Sequence, residues 1–108
     1  LHGEIHGDTL APMGIKSKIF LKMGREEESI ALALKIIEIQ KKLRGEKSDR
    51  VLARYEDLVE IYRNIGDTEK EKDTLVEILN ILLEKRDDSS ERYYRVVDRL
   101  KEIGVKTL

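Results

Sequence analysis

Apolar residues recur at helical spacing in five stretches of the chain, and glycines or capping residues separate the stretches. The unit that organises the pattern is Phe20 to Ile37, FLKMGREEESIALALKII: a periodic helix ends at Gly24, an acidic turn follows, and a second periodic helix begins at once. The unit returns as IYRNIGDTEKEKDTLVEIL around Gly66 and, cut short, as RLKEIGVKTL around Gly104, so the three glycines mark nearly equal steps along the chain. The pattern predicts a helix from a cap at Asp8 or Thr9 to about Met23, with Pro12 in its first turn and Gly14 weakening it. This helix is expected to be the least stable of the set. A second helix spans 25–43, with Ile30, Ala33, Leu34, Ile37 and Ile36 as the apolar positions of its core face, Glu26, Glu27 and Glu28 in its first turn, and Lys41, Lys42 and Arg44 at its end. After Gly45, a cap at Ser48 or Asp49 opens a third helix over 51–65 with Leu52, Tyr55, Leu58, Val59 and Tyr62 inward. Asp67 or Thr68 caps a fourth, running to about Arg86 with Leu75, Ile78, Leu79 and Leu82 inward. Ser89 or Ser90 caps a fifth, running to Ile103 with Tyr93, Val96, Val97 and Leu100 as its stripe. Leu1 to Gly7 has no period and reads as loop.

Superposing residues 1–42 on 43–84 without a gap pairs Gly3 with Gly45, Leu10 with Leu52, Ile19 with Ile61, Phe20 with Tyr62, Gly24 with Gly66, Ile36 with Ile78 and Ile39 with Ile81. Agreement at turn and core positions marks a duplication. The expected fold is therefore an all-α array of helical hairpins: one repeat over about 8–44, a second over about 48–86, and a partial repeat or capping helix over about 89–104. A chain of 108 residues makes one such domain. It begins with Leu1 inside what reads as an inter-helix linker, so it is expected to be an excerpt of a longer protein.

Charge narrows the function. Charged residues make up 40% of the chain, against roughly 25% in an ordinary globular protein, yet 21 Lys and Arg nearly balance 22 Asp and Glu. Mixed signs at that density suit solvated helices rather than a nucleic-acid binder, whose cations would be in excess. There is no cysteine, which removes disulfides, thiolate metal sites and cysteine nucleophiles. No apolar run is long enough to span a bilayer, and no signal-peptide pattern opens the chain, so a cytoplasmic location is the default expectation.

The repeat resembles the tetratricopeptide repeat, and more closely its longer variant found in kinesin light chains and many microbial proteins. In that variant an aromatic precedes the hairpin glycine by four positions, as Phe20 and Tyr62 do, and the linker follows a pattern that LHGEIHGDTL matches through Gly3, His6, Asp8, Thr9 and Leu10, with Gly7 in place of proline. The resemblance implies a right-handed solenoid of five antiparallel helices, about two and a half repeats, whose concave face binds protein or peptide. That face is lined by the first helix of each hairpin. Carried over by position, it comprises Lys18, Leu21 and Lys22, then Glu56, Glu60, Arg63 and Asn64, then Tyr94, Arg95, Asp98 and Lys101. Such a strip has mixed charge with a basic bias at Lys18/Lys22 and Arg63/Arg95, suited to an extended acidic segment. The carboxylate clamp of chaperone-binding members is not expected, because Asp57 and Glu91 stand where it needs asparagine and lysine. The family's small residue five positions after the glycine is Ser29 in the first repeat but Glu71 in the second, which predicts loose packing at the start of the fourth helix.

Other motifs carry less. His2, Glu4 and His6 could be written as a metal cluster, but they lie in a glycine-containing loop, and His6 falls where the family packs its linker; no metal or cofactor is expected. No nucleophile–base–orienter set exists around two histidines, so no enzyme activity is expected. Tyr55, Tyr62 and Tyr93 fall on apolar stripes and read as core rather than as a stacking platform for bases, whereas Tyr94 points the other way. Nucleic-acid and membrane partners are not expected. The competing reading to a peptide-binding scaffold is a structural, self-associating or regulatory segment of a longer superhelix, with homo-oligomers forming through exposed array ends.

Overall fold

The computed structural model describes residues 10–105, with side chains from residue 13 onward. Among these residues it is all-helical, with five α-helices and no strand: α1 (Leu10–Lys22), α2 (Glu26–Arg44), α3 (Asp49–Ile65), α4 (Thr68–Glu84) and α5 (Glu91–Glu102). Each helix packs chiefly on the next in sequence, as short connections require. The molecule measures 45 × 31 × 17 Å. The 19 residues of α2 rise about 28 Å at 1.5 Å per residue, so the 31 Å axis runs along the helices and the 45 Å axis across them. No described helix is long and apolar enough to cross a membrane.

The three glycine exits share one geometry. Gly24, Gly66 and Gly104 take φ of 78°, 81° and 103°, the left-handed region that glycine enters without a Cβ penalty. In each, the amide after the glycine donates back to the carbonyl at the repeat's apolar position: Arg25 to Phe20 at 2.9 Å, Asp67 to Tyr62 at 3.0 Å and Val105 to Leu100 at 3.0 Å. The carbonyls orphaned at each helix end are satisfied this way, and the chain reverses at the same phase of the helix each time. A fourth exit copies the geometry without glycine. Arg86 takes φ of 57°, and the Asp87 amide donates to Leu82 at 2.8 Å. For that reason α4 ends at Glu84, short of the Arg86 expected from its periodicity. At the helix starts, Ser48 accepts from the Val51 amide, Asp67 from that of Lys70, and Ser90 from that of Tyr93. The expected caps Asp8 and Thr9, like His2, Glu4 and His6, lie outside the described residues.

Burial follows the duplication. The buried positions of α2 are Ser29, Ala33, Ile36, Ile37 and Gln40, and their equivalents in the second repeat are Glu71, Leu75, Ile78, Leu79 and Leu82, all buried in α4. On α3, Leu52, Tyr55, Leu58, Val59 and Tyr62 are inward as expected, joined by Val51 and Ile61. Because α3 lies between α2 and α4, it buries residues on both sides. Val96, Val97 and Leu100 of α5 are buried and Tyr93 half-buried.

Two expectations about the core are overturned. Leu34 is 45% exposed, as its counterpart Val76 is at 37%, whereas Ile36 is fully inward. Helical spacing defines a broad apolar arc, and only the placement of α1 and α3 decides which edge of that arc is covered. The start of α4 is also packed rather than loose. Glu71 is 1% exposed, and Arg99 of α5 grips its carboxylate through two hydrogen bonds, of 2.6 and 3.0 Å. The charge at the small-residue position is neutralised by a partner 28 residues away. In the first repeat the same position is held differently: the Ser17 hydroxyl donates to the Ser29 carbonyl at 2.9 Å, and the Ser29 hydroxyl donates back to the Ser17 carbonyl at 2.8 Å.

Candidate interaction surface

The first helices of the hairpins bring most of the expected strip together. Lys18, Leu21 and Lys22 of α1 meet Glu60 and Asn64 of α3 around a cleft of about 390 Å³, completed by Glu26 and the half-buried Ile65. Glu56, Glu60 and Arg63 of α3 meet Arg95 of α5 around a second cleft of about 190 Å³, whose floor is Val59, Leu75, Ile78 and Val96. Glu60 borders both, so the two clefts form neighbouring parts of one surface. Of the remaining strip residues, Tyr94 is 54% exposed and sets its ring edge-on to Tyr93 at 5.5 Å. Tyr94, Asp98 and Lys101 line neither cleft.

Charge pairing reshapes the basic bias expected of the strip. The Glu56 carboxylate accepts from both Arg92 and Arg95 at 3.2 Å, and Arg95 also lies 3.6 Å from Glu91. Arg92 and Lys85 in turn lie 3.8 and 3.2 Å from Asp49. Arg95 is thereby tied to the scaffold, whereas Lys18, Lys22 and Arg63 have no ion pair among the described residues. Asn64 donates its amide to the Glu60 carbonyl one turn back at 3.0 Å, which turns its side chain along α3. Where α1, α2 and α3 meet, burial pushes the Asp57 carboxyl above its ordinary range, against the opposing pull of Arg54 and Lys18. These arrangements offer cations on a partly apolar floor.

The apolar floor was hidden from a residue-by-residue reading of the strip. Val59, Leu75, Ile78 and Val96 are core positions by periodicity, and they also floor a cleft because α5 leaves a gap above the α3–α4 seam. Arg99 had one signal in the sequence: Glu71 falls on an inward position of its helix, where the first repeat has Ser29, and a buried carboxylate needs a cation within reach. Comparison with known proteins returns no match to this chain, from either family models or curated sequences.

Proposed function

We propose that the chain is a repeat scaffold of the tetratricopeptide type, and that it binds an extended, acidic segment of another protein across the strip on α1, α3 and α5. The observation that supports this most directly is the pair of adjoining clefts sharing Glu60, with the unpaired Lys22 beside one and the unpaired Arg63 beside the other. Leu21, Ile65, Val59 and Val96 supply apolar contact beneath those cations. Rigid helices hold both at fixed separation, which lowers the entropy lost when a flexible segment docks.

The test is a cross-linked pull-down from the source cell with the parent chain and a Lys22→Glu/Arg63→Glu variant, followed by mass spectrometry. Both side chains are exposed, so circular dichroism of the variant should match the parent. A partner captured by the parent and lost by the variant is the expected result. Retention of the same partners would move the site off this strip. Capture of nothing by the parent would favour a purely structural segment.

A further inference from the structure

A second surface lies on α1 and on Met23, which continues its last turn by donating its amide to the Ile19 carbonyl at 3.0 Å, on the side turned away from α2. Ile15, Ile19 and Met23 are 61%, 49% and 60% exposed, the largest run of exposed apolar side chains at helical spacing among the described residues. At about 100° per residue, Ile19 and Met23 follow Ile15 by about 40° and 80° around the axis, whereas the buried Ser17 lies at about 200°. The stripe therefore backs directly onto the hairpin seam. Lys22 falls at about −20° and Lys16 at about 100°, so lysines border the stripe on both edges. Residues 10–22 contain three lysines and no acidic residue.

The duplication shows what such a face receives. In the second repeat, Ile19 becomes Ile61 and Met23 becomes Ile65, both on α3. Ile61 is 5% exposed and lines one cavity with Ala33 and Ile36 of α2, and Ile65 is half-buried. On α3, then, the same face is the seat of a neighbouring helix. A second copy of this chain is a poor occupant. The counterpart of the α2 surface on α4, Leu75, Ile78 and Leu82, is already buried, and pairing α1 with α1 would bring two acid-free, lysine-bordered helices together.

We infer that the Ile15–Ile19–Met23 face of α1 docks an amphipathic α-helix of a partner, one with small and branched apolar residues at α2-like spacing and acidic residues along both edges. Packing is helix on helix, and the acidic edges lie against Lys16 and Lys22. The site shares only the edge residue Lys22 with the strip on α1, α3 and α5, and it stands whether or not that strip binds a peptide.

The experiment uses a synthetic amphipathic helix of about 18 residues, long enough to be helical on docking, with Ala and Ile on one stripe and Glu on both edges. A matched peptide carries Lys in place of each Glu, and fluorescence anisotropy reads binding. The acidic peptide is expected to bind, less tightly in high salt, and the lysine peptide to bind at least about tenfold more weakly. Ile19→Glu and, separately, Met23→Glu should each weaken the acidic peptide by about tenfold or more, with helicity retained by circular dichroism. Arg63→Glu should leave it unchanged, which separates this site from the strip. Binding of neither peptide, equal binding of both, or binding indifferent to both stripe variants would overturn the inference. So would sedimentation showing a dimer of the parent chain that Ile19→Glu dissolves, which would assign the face to a second copy.

Discussion

Gln40 and Asp57 show how single positions depart from the repeat around them. Gln40 is 6% exposed, and its side-chain carbonyl oxygen is buried without a hydrogen-bond partner. Its counterpart in the second repeat is the fully buried Leu82. Gln40→Leu is expected to raise stability by about 1–3 kcal/mol, the cost of an unmet buried acceptor, measured as a shift of the urea midpoint at constant slope. Asp57 carries a carboxyl raised by burial. A carboxyl that binds its proton more tightly in the folded chain favours folding on the acid side, and that contribution is lost as pH rises through its folded value. Asp57→Asn should therefore leave stability unchanged at low pH and raise it near pH 7, by about 0.5 kcal/mol or less because the half-exposed group is screened. A variant less stable than the parent at pH 7 would show that its pairing with Arg54 at 3.4 Å outweighs the burial.

At the scale of the element, α5 is held to the preceding hairpin by both kinds of force. Val96, Val97 and Leu100 supply apolar burial, while Arg92, Arg95 and Arg99 reach Glu56 and Glu71. Only the Glu71 pair is buried enough to matter greatly, since exposed pairs contribute about 0–1 kcal/mol. Glu71→Gln is expected to cost about 1.5–3 kcal/mol, because it leaves the Arg99 guanidinium beside a weaker acceptor. The double change Glu71→Ala/Arg99→Ile should recover much of that loss, since a buried ion pair replaced on both sides by apolar groups is often neutral. Ile is the residue that α3 places at the corresponding position, Ile61, when Gly66 is aligned with Gly104. A double variant no better than Glu71→Gln in a denaturation series would mean that the pair specifies the seating of α5 rather than neutralising a buried charge.

At the scale of the molecule, five helices packed in sequence place α3 between two principal neighbours and give α1 one, α2. Stability in such an array is a sum of helix terms and neighbour terms. Hydrogen exchange should therefore find α1 opening first, with its Gly14 and a single buried residue, Ser17, among its described side chains, and α3 opening last. Leu58, 3% exposed in the middle of α3, is the position where truncation should be felt throughout. Leu58→Ala is expected to cost about 2–5 kcal/mol. Equal protection of α1 and α3 would indicate one all-or-none unit instead.

Much of this architecture was readable before any coordinates. The five helices, the caps of the last three, each narrowed to two neighbouring residues, and the glycine exits at 24, 66 and 104 depend on local chemistry: side-chain spacing, capping oxygens and the freedom to take positive φ. The burial pattern of α4 was foreshadowed by α2, because a duplicated sequence repeats its packing. Leu34, Arg86 and Glu71 were not readable. Whether Leu34 faces core or solvent depends on where α1 and α3 lie around α2. Arg86 adopts a conformation for which its residue type gives no signal, held by the hydrogen bond from the Asp87 amide back to Leu82. Glu71 is tolerated only because Arg99 arrives from another helix. The clefts belong to the same class, since a core residue becomes a floor only when neighbouring helices leave a gap above it. Local interactions are encoded within a few residues, whereas coverage, pairing and clefts are properties of helices meeting, and only the tertiary arrangement decides them.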